Sequence, residues 1–445
     1  MTGDNKYLDG GLSTLQKCFK AFFDKHSDKM GSSDNVSGTY NDSGSYIYLV
    51  WSVAVYAEAM ADTLKFTNKF EKKFENVFQC LKRYWSPEYN ACCASYYFQG
   101  NNDVYFDDNA QVAIALATAG YYTSNSSRKK QYLDRAEAII SFLINRGWNQ
   151  QKGGVAWHVN SGSPPGGNLN ACSTAMSALA ALRLAFAVDD NKKKQQLVSF
   201  AWNCVEWIHN NLVDNSHLVC DGLSMKDGKW TLDSVKFTYN TGATLASMSL
   251  LLGFEDIIKG LPNIGKIHSY MENMAEAALN TKSAMYDQSC KTDFKTWKDN
   301  TFFAQHLAEG LMTFSFAMPT SSYAKPAQQM VFDQAEFIMK YIRDPKDGLY
   351  FRDLNLYKIS QDLTNTFNKI FHANQNFQPD KDERIQGDGP VEKQPLCKSL
   401  IGSSGAARML FPAAEIKIRS ENPQKGPILG RRPSGGKDDK SCFIC

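Results

Sequence analysis

The stretch "ACSTAMSALAALRLAFAV", residues 171–188, is apolar around its whole circumference at a helical period. By contrast, "RKKQYLDRAEAIISFLINR", residues 128–146, puts its apolar residues on one face and its charges on the other. A helix that is apolar all round needs burial on every side, whereas an amphipathic helix needs a core on one side only. The same pairing recurs along the chain, at 46–65 with 70–85, 108–123 with 128–146, 169–188 with 192–211, 239–253 with 267–282 and 300–318 with 324–343. An early helix around 12–30 and a late one around 396–410 bring the count to about twelve. No fixed short period links the hairpins, which disfavours an open solenoid. The pattern predicts an all-α fold of two concentric rings, with buried helices inside and amphipathic ones outside.

Composition narrows the functional classes. With 43% hydrophobic and 21% charged residues and a net charge of +3, the chain is globular and offers no basic surface for a nucleic acid. Its first residues have no basic region followed by an apolar core, so no signal peptide is expected, and no run of about 18 apolar residues predicts a membrane span. The 11 cysteines are odd in number, and Cys172 and Cys204 fall inside helical patterns. Reduced, buried thiols are the expectation. Neither the cysteines nor the seven histidines show zinc-ligand spacing, so no metal and no cofactor is expected.

The loops between hairpins are long, aromatic and Gly-rich, for example "GWNQQKGGVAWHVNSGSPPGGN" at 147–168 and "CDGLSMKDGKWTLDSVKFTYNTG" at 220–242. Binding sites usually lie on such loops. At 105–116 stands "YFDDNAQVAIAL", two aspartates at the start of an apolar helix. Asp107 or Asp108 can be an N-cap. Alternatively the two are a pair of carboxylates placed for chemistry.

Several motifs in order resemble glycoside hydrolase family 76, the α-1,6-mannanase family. "YFDDNAQVAIAL" is similar to the family's Asp-Asp helix, "RGWNQQKGGVAW" to its Gly-Gly-aromatic loop, and "NLNACSTAMSALAALRLA" to the helix that opens with Asn170. "VCDGL", "FTYNTGATLASMSLLL" and "KDNTFFAQHLAEGL" follow at plausible spacing, so the resemblance covers roughly 12–411. It implies an (α/α)6 barrel over residues 1–413 that hydrolyses α-1,6-mannosides or related glycosides with retention. It further implies Asp107 as nucleophile and Asp108 as general acid/base. Retaining hydrolysis places two carboxyl groups about 5–5.5 Å apart, a separation that adjacent residues permit. Tyr105, Trp157 and Tyr239 are expected to stack on sugar rings, and Asn170, Asp221 and Asn240 to hydrogen-bond hydroxyls. The chain departs from the family at Gln111-Val112, at Thr241 and in "FFAQHL", which is expected to remove stacking surface beside the pair and an amide from the site.

Residues 414–445 are rich in Pro, Gly, Ser and charge without apolar periodicity, and are expected to form a disordered tail. The tail ends in "CFIC", a prenylation-type box with Cys442 as the acceptor, behind seven basic residues from Lys417 to Lys440. One lipid and a basic segment together suffice for anchoring. The expected partners are therefore a carbohydrate or small-molecule substrate, a prenyltransferase and a membrane surface, with the protein on the cytosolic face. Such an anchor suits a second reading, in which the Asp pair catalyses acid-driven isomerisation or cyclisation of a lipophilic metabolite. A third reading is a non-catalytic carbohydrate-binding barrel.

Overall fold

The computed structural model describes residues 5–31, 48–161, 167–385 and 389–421. In chain order its first seven helices are α1 (Lys6–Phe22), α2 (Val50–Thr63), α3 (Glu71–Lys82), α4 (Phe106–Tyr122), α5 (Ser126–Phe142), α6 (Ala171–Ala187) and α7 (Asn191–Leu212). Then come α8 (Thr238–Leu251), the single turn α9 (Glu255–Ile258), α10 (Ile267–Leu279), α11 (Thr301–Ala317), α12 (Ala324–Phe337), α13 (Gln361–Phe371) and α14 (Leu400–Glu421).

Six of them close a ring: α2 packs on α4, α4 on α6, α6 on α8, α8 on α11, α11 on α14, and α14 back on α2. These are the helices whose sequences are apolar all round. In α8 every residue from Thr238 to Leu251 is buried, whereas the outer helix α3 buries only Phe74, Val77, Phe78, Cys80 and Leu81. The outer layer is formed by α3 on α2, α5 on α4, α7 on α6, α10 on α8 and α12 on α11, with α1 on α14. The sixth hairpin thus joins the two ends of the chain, and the Asn5 side chain donates to the Ala414 carbonyl at 3.1 Å across that seam. The fold is the (α/α)6 barrel that the resemblance implies. The apolar stretch Thr238–Ile258 is long enough to cross a membrane by length and composition, yet 72% of its window is buried in the barrel.

Small residues set the spacing of the ring. A methyl group on Gly242 of α8 would lie 2.4 Å from the backbone of His306 in α11, so the two helices meet backbone to backbone. Charged side chains then cross the interior. Arg408 of α14 donates to Asp62 of α2 at 3.0 Å, to Glu309 of α11 at 2.8 Å and to Gln305 at 3.1 Å, and it pairs with Glu58. Arg183 of α6 pairs with the other oxygen of Glu309, and Lys65 holds Asp62 at 3.0 Å. Three cations therefore face three carboxyls, and burial still pushes Glu58 up to about 8.

Helix α13 lies outside the predicted hairpins; Ser360 caps it by accepting from Leu363 N at 3.2 Å, and Phe367 and Phe371 pack inward. One sequence expectation, the end of the barrel, needs correction. The barrel runs on past residue 413, because α14 continues to Glu421 with Ile416 and Ile418 buried. Lys417 and Arg419, counted above with the basic tail, belong to this helix, and Arg419 pairs with Glu415 at 3.0 Å. Residues 422–445, with Cys442, lie outside the described residues.

Replacing Gly242 with alanine should cost about 1–3 kcal/mol or more, since the added methyl must push α8 and α11 away from each other. Urea denaturation of parent and variant measures it, and an unchanged midpoint would show that the α8–α11 contact tolerates separation.

Candidate active site

Each inner helix but the last is followed by an outer helix that runs back, and α1 leads into α2 in the same way, so the inner helices are parallel and their N-termini share one rim. Contacts between first-turn residues agree: Trp51 of α2 meets Phe302 and Phe303 of α11, and Phe303 meets Tyr239 of α8 at 4.5 Å between ring centroids. Such a rim favours negative charge, because unpaired N–H groups and aligned peptide dipoles point toward it.

Asp107 and Asp108 are the second and third residues of α4, on this rim. Neither is the cap, since Tyr105 holds that position and no side chain caps the helix. The capping reading is therefore overturned. Trp157 donates its indole N–H to Asp107 Oδ2 at 3.1 Å, and the Asp108 backbone N–H donates to Asp107 Oδ1 at 3.0 Å. Among the described residues the Asp108 carboxyl receives no hydrogen bond. Burial pushes Asp107 up to about 6, against those two donors, which favour its anion. Asp108 is raised well above the ordinary carboxylate range, first by burial and then by the charges of Asp107 and Asp103. The pair is thus divided, with Asp107 held nearer its anion and Asp108 pushed further toward its acid form.

Trp157 reaches Asp107 because of the loop before it. Gly153 and Gly154 take φ of +76° and +78°, and a methyl on either would strike the Trp207 ring, at 2.6 and 2.5 Å. Only glycine allows the chain to pass so close under that indole in this conformation. The loop then returns so that Phe106 N donates to Trp157 O at 2.9 Å. Trp157 stays 43% exposed beside the acids, and Tyr105 meets it edge-on at 5.0 Å.

A second group stands opposite. Asp221 accepts from the Tyr239 hydroxyl at 3.2 Å and from Asn240 Nδ2 at 3.0 Å, and it is close enough to raise the pKa of Asp107. Phe237 stacks on Tyr239 at 5.3 Å, extending the aromatic rim. Asn170 has a structural task instead, since its side chain accepts from Ser173 N at 3.2 Å and caps α6. Its expected contact with hydroxyls loses that oxygen to the cap. Asn240 is fully buried, and its Oδ1 has no partner among the described residues. Cys172 was missed by the sequence reading: it is part-exposed beside Asp107, Asp108 and Asp221, and burial followed by their charges holds its thiol protonated. Among the described residues no group of three metal-ligating side chains forms.

The profile of glycosyl hydrolase family 76 matches residues 8–380. This chain belongs to that family. The meiotically up-regulated gene 191 protein of Schizosaccharomyces pombe is 64% identical over 442 residues, 99% of each chain. The mannan endo-1,6-alpha-mannosidase DCW1 of Saccharomyces cerevisiae is 29% identical over 217 residues, 45% of each chain. Among solved structures, the family 76 α-1,6-mannanase of Salegentibacter sp. HEL1_6 shares the fold with a TM-score of 0.65 at 15% identity, covering 92% of this chain and 99% of that one. That enzyme with two adjacent aspartates changed to asparagine is inactive and has been solved with α-1,6-mannotriose.

Within this family 76 chain, the motif residues divide into chemistry and support. Asn109, after the Asp pair, accepts from Cys92 N at 2.6 Å and donates to Cys92 O at 2.9 Å, pinning a strand rather than facing the mouth. Asp299 accepts from Thr238 N at 2.6 Å and so holds the start of α8. The departures from the family also fall on support positions. Gln111 and Val112 are buried, so the exchange there strips no surface from the mouth, contrary to expectation. Thr241 accepts from Val219 N at 3.2 Å, and Gln305 accepts from Arg408.

Trp157→Phe removes one of the two donors that favour the Asp107 anion, so its titration should move to higher pH. The carboxyl carbon shift of Asp107, followed by NMR across pH, reads this directly, and an unmoved midpoint would show that the indole does not act on the acid.

Proposed function

We propose that this protein is a retaining glycosidase that cleaves α-1,6-linked mannosides, with Asp107 as nucleophile and Asp108 as general acid/base. The observation that carries the reading is the divided pair: one carboxyl with two donors and one with none, adjacent at a helix N-terminus. Asp107 attacks the anomeric carbon while Asp108 gives its proton to the departing oxygen; Asp108 then takes a proton from water, which releases the sugar with net retention. The two adjacent aspartates whose change inactivates the Salegentibacter enzyme support the same assignment, and its mannotriose complex supports the substrate class. The name of the Saccharomyces relative supports internal cleavage of a mannan chain.

The rim favours a sugar over a lipophilic metabolite. Trp157 is exposed and Phe237 part-exposed, and Asp221 presents a carboxylate that can accept from hydroxyls. A pure binding barrel has no use for an acid raised so far beside a second carboxyl.

Incubation with α-1,6-manno-oligosaccharides, with products followed by mass spectrometry, tests the reading. The parent should cleave, and Asp108→Asn should lose about 10²–10⁴-fold in rate through loss of general acid catalysis. On a mannoside whose leaving group needs no proton, Asp108→Ala should regain turnover with azide and yield the α-mannosyl azide; the β-anomer would overturn retention. No cleavage by folded parent would overturn the activity itself.

The pH profile follows from the same division. Asp107 must be ionised, so kcat/KM should fall as pH drops through about 6, where its pKa lies. It should fall again at high pH as Asp108 loses its proton, which gives a bell whose limbs belong to the coupled pair. A rate that is flat between pH 4 and pH 7, about two units below and one above that value, would contradict the assignment.

Membrane attachment through Cys442 rests on the sequence alone. Metabolic labelling with an isoprenoid should mark the parent and spare Cys442→Ser, and absence of label on both would remove the anchor.

A further inference from the structure

We propose that a trough on the outer wall, between α7 and the segment 144–150 that follows α5, is a second carbohydrate site that holds a neutral mannan chain outside the catalytic mouth. The trough encloses about 540 Å³ and is distinct from the residues around Asp107. Part-exposed Trp148 and Ile144 form its apolar side, backed by the buried Phe200 ring, whose centroid lies 5.8 Å from that of Trp148. Gln150, Gln195, Gln196 and Asn203 line the rest together with Ser199 and Lys192; the four amide side chains are exposed, and none is hydrogen-bonded among the described residues.

The chemistry of this lining selects its occupant. Amides that donate and accept at once, set beside aromatic rings, match a polyhydroxylated ring with its alternating hydroxyls and apolar C–H faces. From Gln195 to Asn203 the helix has no charged residue, although Lys192, Lys193 and Lys194 precede it and Glu206 follows. Lys192 is the one charged group in the trough. An acidic peptide or anionic lipid would find a single cation there, whereas a neutral polysaccharide needs none. Lining residues run from Lys192 to Asn203 along α7, about 16 Å at the helical rise per residue. That is a length for a chain of sugars rather than for one.

Its position adds a use. Trp148 opens the loop that ends at Trp157, the residue bonded to Asp107. A polymer lying in the trough is thus held one short loop from the cleaving pair, which raises its effective concentration there without a new contact in the mouth. The substrate class rests on the proposed mannosidase reading; the existence of the site does not.

The test compares full-length parent with Gln195→Ala/Asn203→Ala, two exposed positions whose change leaves the core intact. Hydrolysis of α-1,6-mannotetraose should be equal in both, while the rate on polymeric α-1,6-mannan at low concentration should fall about tenfold, the effect of two ordinary hydrogen bonds. Electrophoresis through a gel containing the polymer should retard the parent more than the variant. Equal polymer rates and equal retardation would overturn the trough. If the parent cleaves neither substrate, the catalytic reading fails, and gel retardation still decides the second site: lost in the variant, it stands; equal in both, it falls.

Discussion

Arg408 reaches from the last inner helix to carboxyls on α2 and α11, and the barrel depends on that reach. A ring of six apolar helices can slide, because alanine and leucine surfaces offer many nearly equal registers. Charges in a dry interior remove that freedom. Each cation must find its own acid, and an unpaired partner left inside costs about 3–5 kcal/mol. The network stabilises little in net terms, since taking the ions out of water offsets much of their attraction. What it supplies is discrimination: α14 closes on α2 in the one register where Arg408 meets Asp62 and Glu58 together.

That register sets the mouth. With the inner helices parallel and level, the first turns of α2, α4, α8 and α11 come together, and side chains far apart in sequence become neighbours. Trp51, Tyr239 and Phe303 build one wall only because Gly242 lets α8 and α11 touch. The acids on α4 face this wall through Asp221, which Tyr239 and Asn240 hold in place. Packing in the core thus positions the acids and aromatic rings at the rim.

The hairpins were legible because burial on all sides and burial on one side leave different residue patterns. Legibility stopped where a residue's task depends on a distant partner. Asn170 looks like a site amide in sequence, yet it caps its own helix, and Asn109 beside the acids clamps Cys92. Val112 and Gln111 look like lost stacking surface, yet they point into the barrel. The end of α14 was hidden for another reason. Pro412 interrupts it, and "EIKIRSE" alternates charge with isoleucine, a pattern that reads as extended chain until Ile416 and Ile418 find the core. The Gly-Gly loop was recognised as a motif, while its purpose, passage beneath Trp207, shows only once the chain is folded.

Adjacent residues with identical side chains are poorly suited, at first sight, to opposite roles, and the backbone resolves this. At the second and third positions of a helix the N–H groups are unpaired, and the Asp108 N–H turns to the Asp107 carboxylate at 3.0 Å. The same donor cannot serve Asp108 itself. Trp157 adds a second donor to the first acid only, so one member collects the stabilisation of an anion while its neighbour feels burial, that anion and the charge of Asp103. A difference in proton affinity thus arises from a difference of one residue in helical position. Any pair of aspartates at a helix start has the raw material for it; the indole brought in by the glycine loop decides which of the two is held nearer its anion.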